Sequence, residues 1–467
     1  MTDTATPHHS TSNHGAPSHV APHQRTPQHG APDRGGPEHS AIRGGSPRRR
    51  FVIVVRADPV ICGHSGEARN LAEVALTRGF DDVRILTWPI PTLHAAGLPL
   101  KPLDAVLPYS PGITVERPEP IGDYKVPDGR VTAGLTGRLV ELFTDGVPTT
   151  AMSLYLMPHA LCVTEAKRTA EAMGRGGNVR TIAEAVGSDI TNVVSSCVAE
   201  GRLGAAAHLF TSYLSHDEPV AVSAFTKELI VDAATQVDDA LGTGFAHSCE
   251  RRIRVSYPAI DRTAFTSVTT DEVARVTQRR GLRPDSYVLF LSRLTPAKGV
   301  DDLINAYALS DAHRRVDLVI AGAGPARDVL RAQAKASGLG PRIAFLDDVD
   351  DDEKRGLMAG CAAYALPSKP RPDFVETFGI ALVEKMLAGG GPVITTPTGG
   401  IPEAVGDAAI MVPPGAPPQL ARALDHVVLE MTAAERAEAA VQARNHAMQF
   451  DRTAIFDRLV EPVPTAA

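Results

Sequence analysis

Four side chains in the second half of the chain are spaced for work on a ligand carrying both phosphate and hydroxyl groups. Glu376 and Glu384 have seven residues between them in the run Asp-Phe-Val-Glu-Thr-Phe-Gly-Ile-Ala-Leu-Val-Glu. The segment Gly379 to Ala388 reads as a short helix, ended by the glycines at 389 to 391 and by Pro392. Glu376 then lies in the loop before the helix and Glu384 within it. Free N–H groups at a helix start face whatever docks there, which suits anionic or hydroxyl-rich ligands. Two carboxylates around such a site can grip two separate sugar rings. Taken alone, the segment reads equally well as a buried helix with one exposed glutamate. Arg293 and Lys298 stand in Ser-Arg-Leu-Thr-Pro-Ala-Lys-Gly, directly after the apolar run Tyr287 to Ser292. At the carboxyl end of a strand, two cations can take both phosphates of a pyrophosphate and stabilise it as a leaving group. The alternative is an ordinary surface Arg and Lys, but cations at a helix start are disfavoured by the helix dipole unless an anion joins them.

The elements that must position these residues read as two successive α/β units. The first begins at Phe51 with Phe-Val-Ile-Val-Val, a continuous apolar run typical of a buried parallel strand. A loop Cys62-Gly63-His64-Ser65-Gly66 follows, then a helix from Glu67 to Arg78 and a strand from Val83 to Thr87. Gly63 and Gly66 allow close backbone approach to a ligand, although the loop is not the GxGxxG pattern of dinucleotide sites. Residues 89 to 130 read as an irregular excursion. Further on, the pattern predicts a turn into a helix over Ser153 to Val163, a strand over Asn178 to Ala185, a helix over 202 to 214, a strand over Pro219 to Ser223, a helix over Thr226 to Gln236 and a strand over Arg252 to Tyr257. The polar stretch Thr266 to Pro284 reads as the boundary. Beyond it, strands at Tyr287 to Ser292, Val316 to Ala321, Arg342 to Leu346, Ala362 to Leu366 and Pro392 to Thr396 alternate with helices at Gly299 to Leu309 and Pro325 to Ser337. The expected division is a tail over 1–49, a first domain over 50–283, a second over 284–440, and a C-terminal helix and tail over 441–467. A helix over Ala433 to Met448 is expected to cross back to the first domain.

Composition narrows the partners. A length of 467 residues accommodates two or three domains. A net charge of −7 and an aromatic content of 5% argue against nucleic acid. The five cysteines are scattered, with no CxxC pair, as in a reduced protein lacking structural zinc. No apolar run approaches 18 residues and no signal peptide is evident, so a cytoplasmic protein with no stable membrane insertion is expected. Residues 1 to 49 are rich in Pro, His, Ser, Thr and Gly and poor in aliphatic residues, which predicts disorder. Seven of the sixteen histidines lie there, irregularly spaced and without cysteine partners, as in a solvated tail.

Arg293 and Lys298, the Gly-Ala-Gly turn at 322 to 324, Glu376 through Glu384, and Thr398-Gly399-Gly400-Ile401-Pro402-Glu403 stand in an order that resembles family 4 glycosyltransferases. The resemblance is strongest over 285 to 425. It is weaker but collinear over 51 to 283, where Gly187-Ser188-Asp189 and Pro258 to Phe265 also match, and it excludes the first 49 residues. It implies a GT-B fold, two Rossmann-like doubly wound domains facing a central cleft. It also implies transfer of a sugar from a nucleotide-diphosphate donor with retention of configuration, with no cofactor and no bound metal. Carried over, Arg293 and Lys298 hold the donor pyrophosphate, Glu376 the hydroxyls of the transferred sugar and Glu384 the ribose. The backbone of Phe378, Gly379 and Ile380 contacts sugar and phosphate, and the main chain of Val349 meets the base. Gly63, His64, Ser65 and Gly66 form the first-domain loop over the donor phosphates. His159 and Asp189 are acceptor-side candidates.

Two departures stand out. Asp347 and Asp348 occupy a place where the family usually has a glycine, and His64 stands where it commonly has a different residue. The resemblance leaves the base, the sugar, the acceptor and the oligomeric state open. A small acceptor fits the lack of a basic amphipathic helix in the first domain. The Ala, Arg and Pro bias suits a high-GC bacterium, hence antibiotic or thiol metabolism as a setting. The alternatives are a nucleotide-sugar epimerase of similar architecture, which needs no acceptor, and a non-catalytic sugar-binding protein.

Overall fold

A computed structural model describes residues 48–122, 127–372 and 374–460. The disorder expected of the N-terminal tail therefore falls outside the described residues, apart from Arg48 and Arg49. From Arg48 onward the chain forms one unit built on two wholly parallel sheets. The first has β1 (Arg50–Val54), β2 (Asp82–Leu86), β3 (Ile113–Glu116), β4 (Thr149–Leu154), β5 (Val179–Ala185), β6 (Glu218–Ala221) and β7 (Arg254–Val255), in the order β3-β2-β1-β4-β5-β6-β7. The second has β8 (Tyr287–Leu291), β9 (Asp317–Ala321), β10 (Ile343–Leu346), β11 (Ala363–Leu366), β12 (Val393–Thr395) and β13 (Ile410–Met411), in the order β10-β9-β8-β11-β12-β13. In each sheet the chain winds outward from its first strand, then restarts on the other side. The switch points lie between β1 and β4 and between β8 and β11, where open α/β sheets form ligand crevices at their carboxyl ends.

The strands follow the apolar runs because both faces of each sheet are covered. Every residue of β1 is buried, and its one polar member, Arg50, is held by Asp82 and Asp145, each at 2.7 Å. The register Val54↔Ser153 sets the end of β1 beside the end of β4.

Several sequence expectations change. The first crossover helix runs Gly63–Thr77, so Gly63, His64, Ser65 and Gly66 form its first turn and not a loop ahead of it. The Cys62 sulfur accepts a hydrogen bond from the Ser65 N–H at 3.3 Å and caps that turn. The excursion at 89 to 130 contains the short helix Ile90–Ala95, β3 and the start of the helix Pro127–Thr144. Glycines 129, 134 and 137 disguise that last helix, which forms because Leu135, Leu139 and Leu142 bury one face. Of the turn into a helix expected over Ser153 to Val163, Ser153 and Leu154 belong instead to β4, and a wide helical turn over Leu156–Ala160 leads into the helix Leu161–Ala172. The polar stretch after Thr266 is the helix Thr270–Arg279, opened by a Thr269–Glu272 capping box. Val276 on it packs, with Ile260 and Phe265, into the core of the second sheet. The helix Ala433–Ala447 also stays with that core through Ala443 and Ala447. The crossing is made by the next helix, Arg452–Val460, whose Ile455, Phe456 and Leu459 pack into the first core. There the Phe456 ring lies 5.3 Å from Phe51. No helix among the described residues is long and apolar enough to cross a membrane.

Candidate functional site

Arg293 and Lys298 follow β8, and Glu376 lies in the loop that leads from β11 to the helix Ile380–Ala388. The fold brings Lys298 and Glu376, 78 residues apart in sequence, into a direct ion pair. Lys298 retains only 7% of its side-chain exposure. Arg293 is exposed and has no ion-pair partner among the described residues, which leaves its guanidinium available to an anion. Glu384, on the helix, pairs with Lys354 at 2.6 Å. Each carboxylate of the pair is thus matched by a lysine before any ligand arrives.

The helix start is shaped for close approach. Gly379 caps it at φ 105°, a conformation in which a Cβ is strained. The N–H groups of the first turn therefore stand free of a capping side chain. Phe378 is different: its ring is buried, stacked on Tyr257 at 5.4 Å and edge-on to Phe450 at 5.1 Å, so only its backbone is available to a ligand. Val349 is half-buried against the second core. Asp348 is engaged by Arg280 at 2.9 Å and Asp347 by Arg331 at 2.8 Å, so the two acidic residues at this departure from the family pattern are neutralised by the protein itself.

The loop carrying Glu376 is pinned from the other domain. Thr377 donates its hydroxyl to the Val186 carbonyl at 2.9 Å, and its own carbonyl accepts from the Ser223 hydroxyl at 2.6 Å. The Glu376 carbonyl accepts from Gly400 N–H at 2.9 Å. Gly187 makes the approach possible: a Cβ there would lie 1.9 Å from Thr377 Cγ2. Gly63 meets Ile380 in the same way, with 2.8 Å between a would-be Cβ and Ile380 Cδ1. Glu403 then caps the helix Ala224–Leu241 across the gap, accepting from Ala224 N–H at 2.7 Å and Phe225 N–H at 2.9 Å.

The first domain contributes a second set of groups at the carboxyl ends of β1, β4 and β5. Tyr155 holds φ 85°, uncommon for a side-chain-bearing residue and worth about 1–3 kcal/mol of strain. Arg56 lies over its ring at 4.3 Å, and the His64 and His159 rings lie 5.5 and 5.3 Å away. His159 also meets Trp88 at 4.5 Å. Burial lowers the His159 imidazole to about 3, so it is neutral, and neither ring nitrogen has a partner. Burial raises Asp189 to about 6, against the bond it accepts from Val186 N–H at 3.1 Å. His64 pairs with Glu67 at 2.8 Å. Glu184 is fully buried beside Glu67, and burial together with that neighbouring carboxylate raises it well above its usual range.

The structure therefore gathers Lys298 and Glu376, and sets Gly63 of the first turn against Ile380. It places His159 and Asp189 beneath the first-domain surface rather than on it. Sequence reasoning missed Arg56, Trp88, Tyr155, Thr377, Lys354 and Glu184. Only Glu184 left a signal: a carboxylate between Ala183 and Ala185, in the all-buried half of the strand Val179–Ala185, must have a reason to be there.

Two parallel doubly wound domains with the site between them define a GT-B glycosyltransferase fold, and solved structures of that class match it. HepE of Anabaena, solved in complex with UDP and glucose, aligns with a TM-score of 0.63 at 20% identity, covering 88% of this chain and 98% of its own. WaaG, a glycosyltransferase involved in lipopolysaccharide biosynthesis, aligns with a TM-score of 0.60 at 16% identity, covering 88% of this chain and all of its own. Residues 277–446 match the family described as glycosyl transferases group 1. A GDP-mannose-dependent α-(1-6)-phosphatidylinositol monomannoside mannosyltransferase of Mycobacterium tuberculosis is 34% identical over 184 residues, 37% of this chain and 46% of the relative. A D-inositol 3-phosphate glycosyltransferase of Jonesia denitrificans is 30% identical over 227 residues, 44% and 51% of the two chains. The chain thus spans about half the length of the curated relatives it matches.

Proposed function

We propose that the protein is a retaining, family 4 glycosyltransferase that moves a sugar from a nucleotide-diphosphate donor to a small acceptor. The observation that carries this reading is the Lys298–Glu376 pair beside the exposed Arg293 at the end of β8. Lys298 exchanges Glu376 for a phosphate oxygen, and Glu376 is released to a sugar hydroxyl alongside it. As the bond between the anomeric carbon and the diphosphate breaks, its electron pair leaves on the phosphate oxygen, where Lys298 and Arg293 offset the charge. The acceptor oxygen attacks from the same face, and its proton passes to the departing phosphate oxygen. Glu384, oriented by Lys354, holds the ribose, and the main chain of Val349 meets the base.

The relatives' names mention GDP-mannose as a donor and an inositol phosphate and a phosphatidylinositol mannoside as acceptors. UDP-, GDP- and dTDP-sugars are therefore screened first by thermal shift, because a ligand that binds only the folded state raises its stability. The stabilising donor is then assayed with inositol phosphates for release of nucleoside diphosphate, and the product's anomeric configuration is read by proton NMR. An inverted product would refute the retaining reading. Isomerised donor without acceptor-dependent release of nucleoside diphosphate would point to the epimerase instead.

A further inference from the structure

One cluster of ligating side chains in the first domain includes a buried carboxyl group with no hydrogen-bond partner among the described residues. His64 and Glu67 stand one turn apart at the start of the helix Gly63–Thr77, and Glu184 lies in β5. Glu184 is 0% exposed, and neither of its carboxylate oxygens has a hydrogen-bond partner. A carboxylate withdrawn from water in this way is strongly disfavoured unless a cation or a proton meets it. One ligand atom from each of the three residues lies within 4.8 Å of the other two. His64 Nδ1 and Glu67 Oε2 are 2.8 Å apart, so a modest parting of the two side chains gives the roughly 3.4 Å between tetrahedral ligands each about 2.1 Å from one ion. The second oxygen of Glu67 accepts from Ala259 N–H at 3.1 Å, the kind of outer contact that orients a metal ligand.

We propose that His64, Glu67 and Glu184 bind a divalent first-row transition-metal ion of the kind zinc represents. Two carboxylates balance its charge, and the imidazole favours such an ion over magnesium or calcium. No hydrogen bond restrains the Glu184 carboxylate from closing on the ion. The bound ion ties β5 to the helix turn whose Gly63 abuts Ile380, and so stiffens the first-domain wall of the cleft. All three ligands come from the protein, so binding does not depend on the proposed transfer reaction.

Chelator-treated full-length protein is titrated with zinc by calorimetry and by thermal denaturation. The seven histidines of residues 1 to 49 can also take zinc, so the readout is the difference between chains that share this tail. Glu184→Gln, isosteric and neutral, and His64→Ala are each expected to bind one equivalent fewer than the wild type. The rise in Tm produced by zinc in the wild type is expected to be absent in both. His64→Ala alters a partly exposed side chain and keeps the test decisive should Glu184→Gln fail to fold. Equal stoichiometry and equal Tm shifts in all three proteins would overturn the proposal and mean that the buried carboxylates share a proton.

Discussion

Among single residues, Lys298 is the one on which the proposed chemistry depends. Its ammonium is nearly buried and sits on Glu376, so it is fixed where a leaving phosphate would need it. Removing one preorganised charge from a transition state lowers turnover by roughly 10²–10³-fold in comparable sites. Lys298→Ala is therefore expected to lose about that much in kcat while the donor Kd changes far less, as steady-state kinetics beside donor titration would read. A weakened donor Kd with unchanged kcat would assign Lys298 to ground-state binding alone. His159 supports a prediction of a different kind. Its folded pKa is about 3 against an ordinary value near 6.5, so below pH 6.5 the unfolded chain binds a proton that the native chain refuses. The stability that neutral His159 allows is complete above pH 6.5 and is lost as pH falls toward 3, at up to about 1.4 kcal/mol per pH unit. His159→Phe, packed between Trp88 and Tyr155, is expected to flatten the fall in denaturation free energy between pH 6.5 and 4. A wild-type slope in that variant would contradict the assignment. At this scale the sequence singles out Arg293, Lys298, Glu376 and Glu384 because a motif concentrates them, and the fold brings Lys298 and Glu376 into contact. The sequence is silent on Lys354 and Tyr155, whose roles come from neighbours distant in the chain.

At the scale of elements, the strand ends do the positioning. The parallel strands were readable because burial on both faces leaves continuous apolar runs, as in Phe-Val-Ile-Val-Val. Helices with interrupted patterns were not: Pro127–Thr144 carries three glycines, and Thr270–Arg279 exposes most of its surface. The helix Gly63–Thr77 starts four residues earlier than its sequence suggests because a cysteine sulfur takes the capping role that Ser, Thr, Asp or Asn usually fill. The turn after β5 touches the candidate site most closely, since Gly187 at φ 103° lets Thr377 reach the Val186 carbonyl. Gly187→Ala places a methyl into Thr377 and strains its own backbone. It is expected to displace the Glu376 loop and to reduce kcat/KM by at least roughly tenfold, given how steeply rate depends on ångström-scale positioning. Wild-type kinetics in Gly187→Ala would show that the loop is placed by the second domain alone.

At the scale of the whole molecule, the two domains are held by a few polar contacts and by the C-terminal helix Arg452–Val460, which returns to the first core. That helix was foreseen one element too early, because the alanine-rich face of Ala433–Ala447 reads as readily for one core as for the other. Glu403 is the contact most easily removed without disturbing either core. Its bonds to the N-terminus of the helix Ala224–Leu241 are charge-assisted, and losing them costs about 2 kcal/mol of closure, a shift of roughly 30-fold toward an open form. Glu403→Ala is expected to show a larger radius of gyration by X-ray scattering without ligand, and to contract on binding donor. An unchanged radius would place the hold between the domains elsewhere.

In the proposed reaction Arg293 and Lys298 read the diphosphate while Glu376 reads the sugar. The most direct test is an equilibrium titration of three proteins with a nucleotide sugar and with the matching free nucleoside diphosphate. Glu376→Gln is expected to bind the free diphosphate as the wild type does, but to bind the nucleotide sugar at least about tenfold more weakly, the value of one charge-assisted hydrogen bond. The Arg293→Ala, Lys298→Ala double variant is expected to lose both ligands. Wild-type affinity for the diphosphate in that double variant would contradict this division of roles.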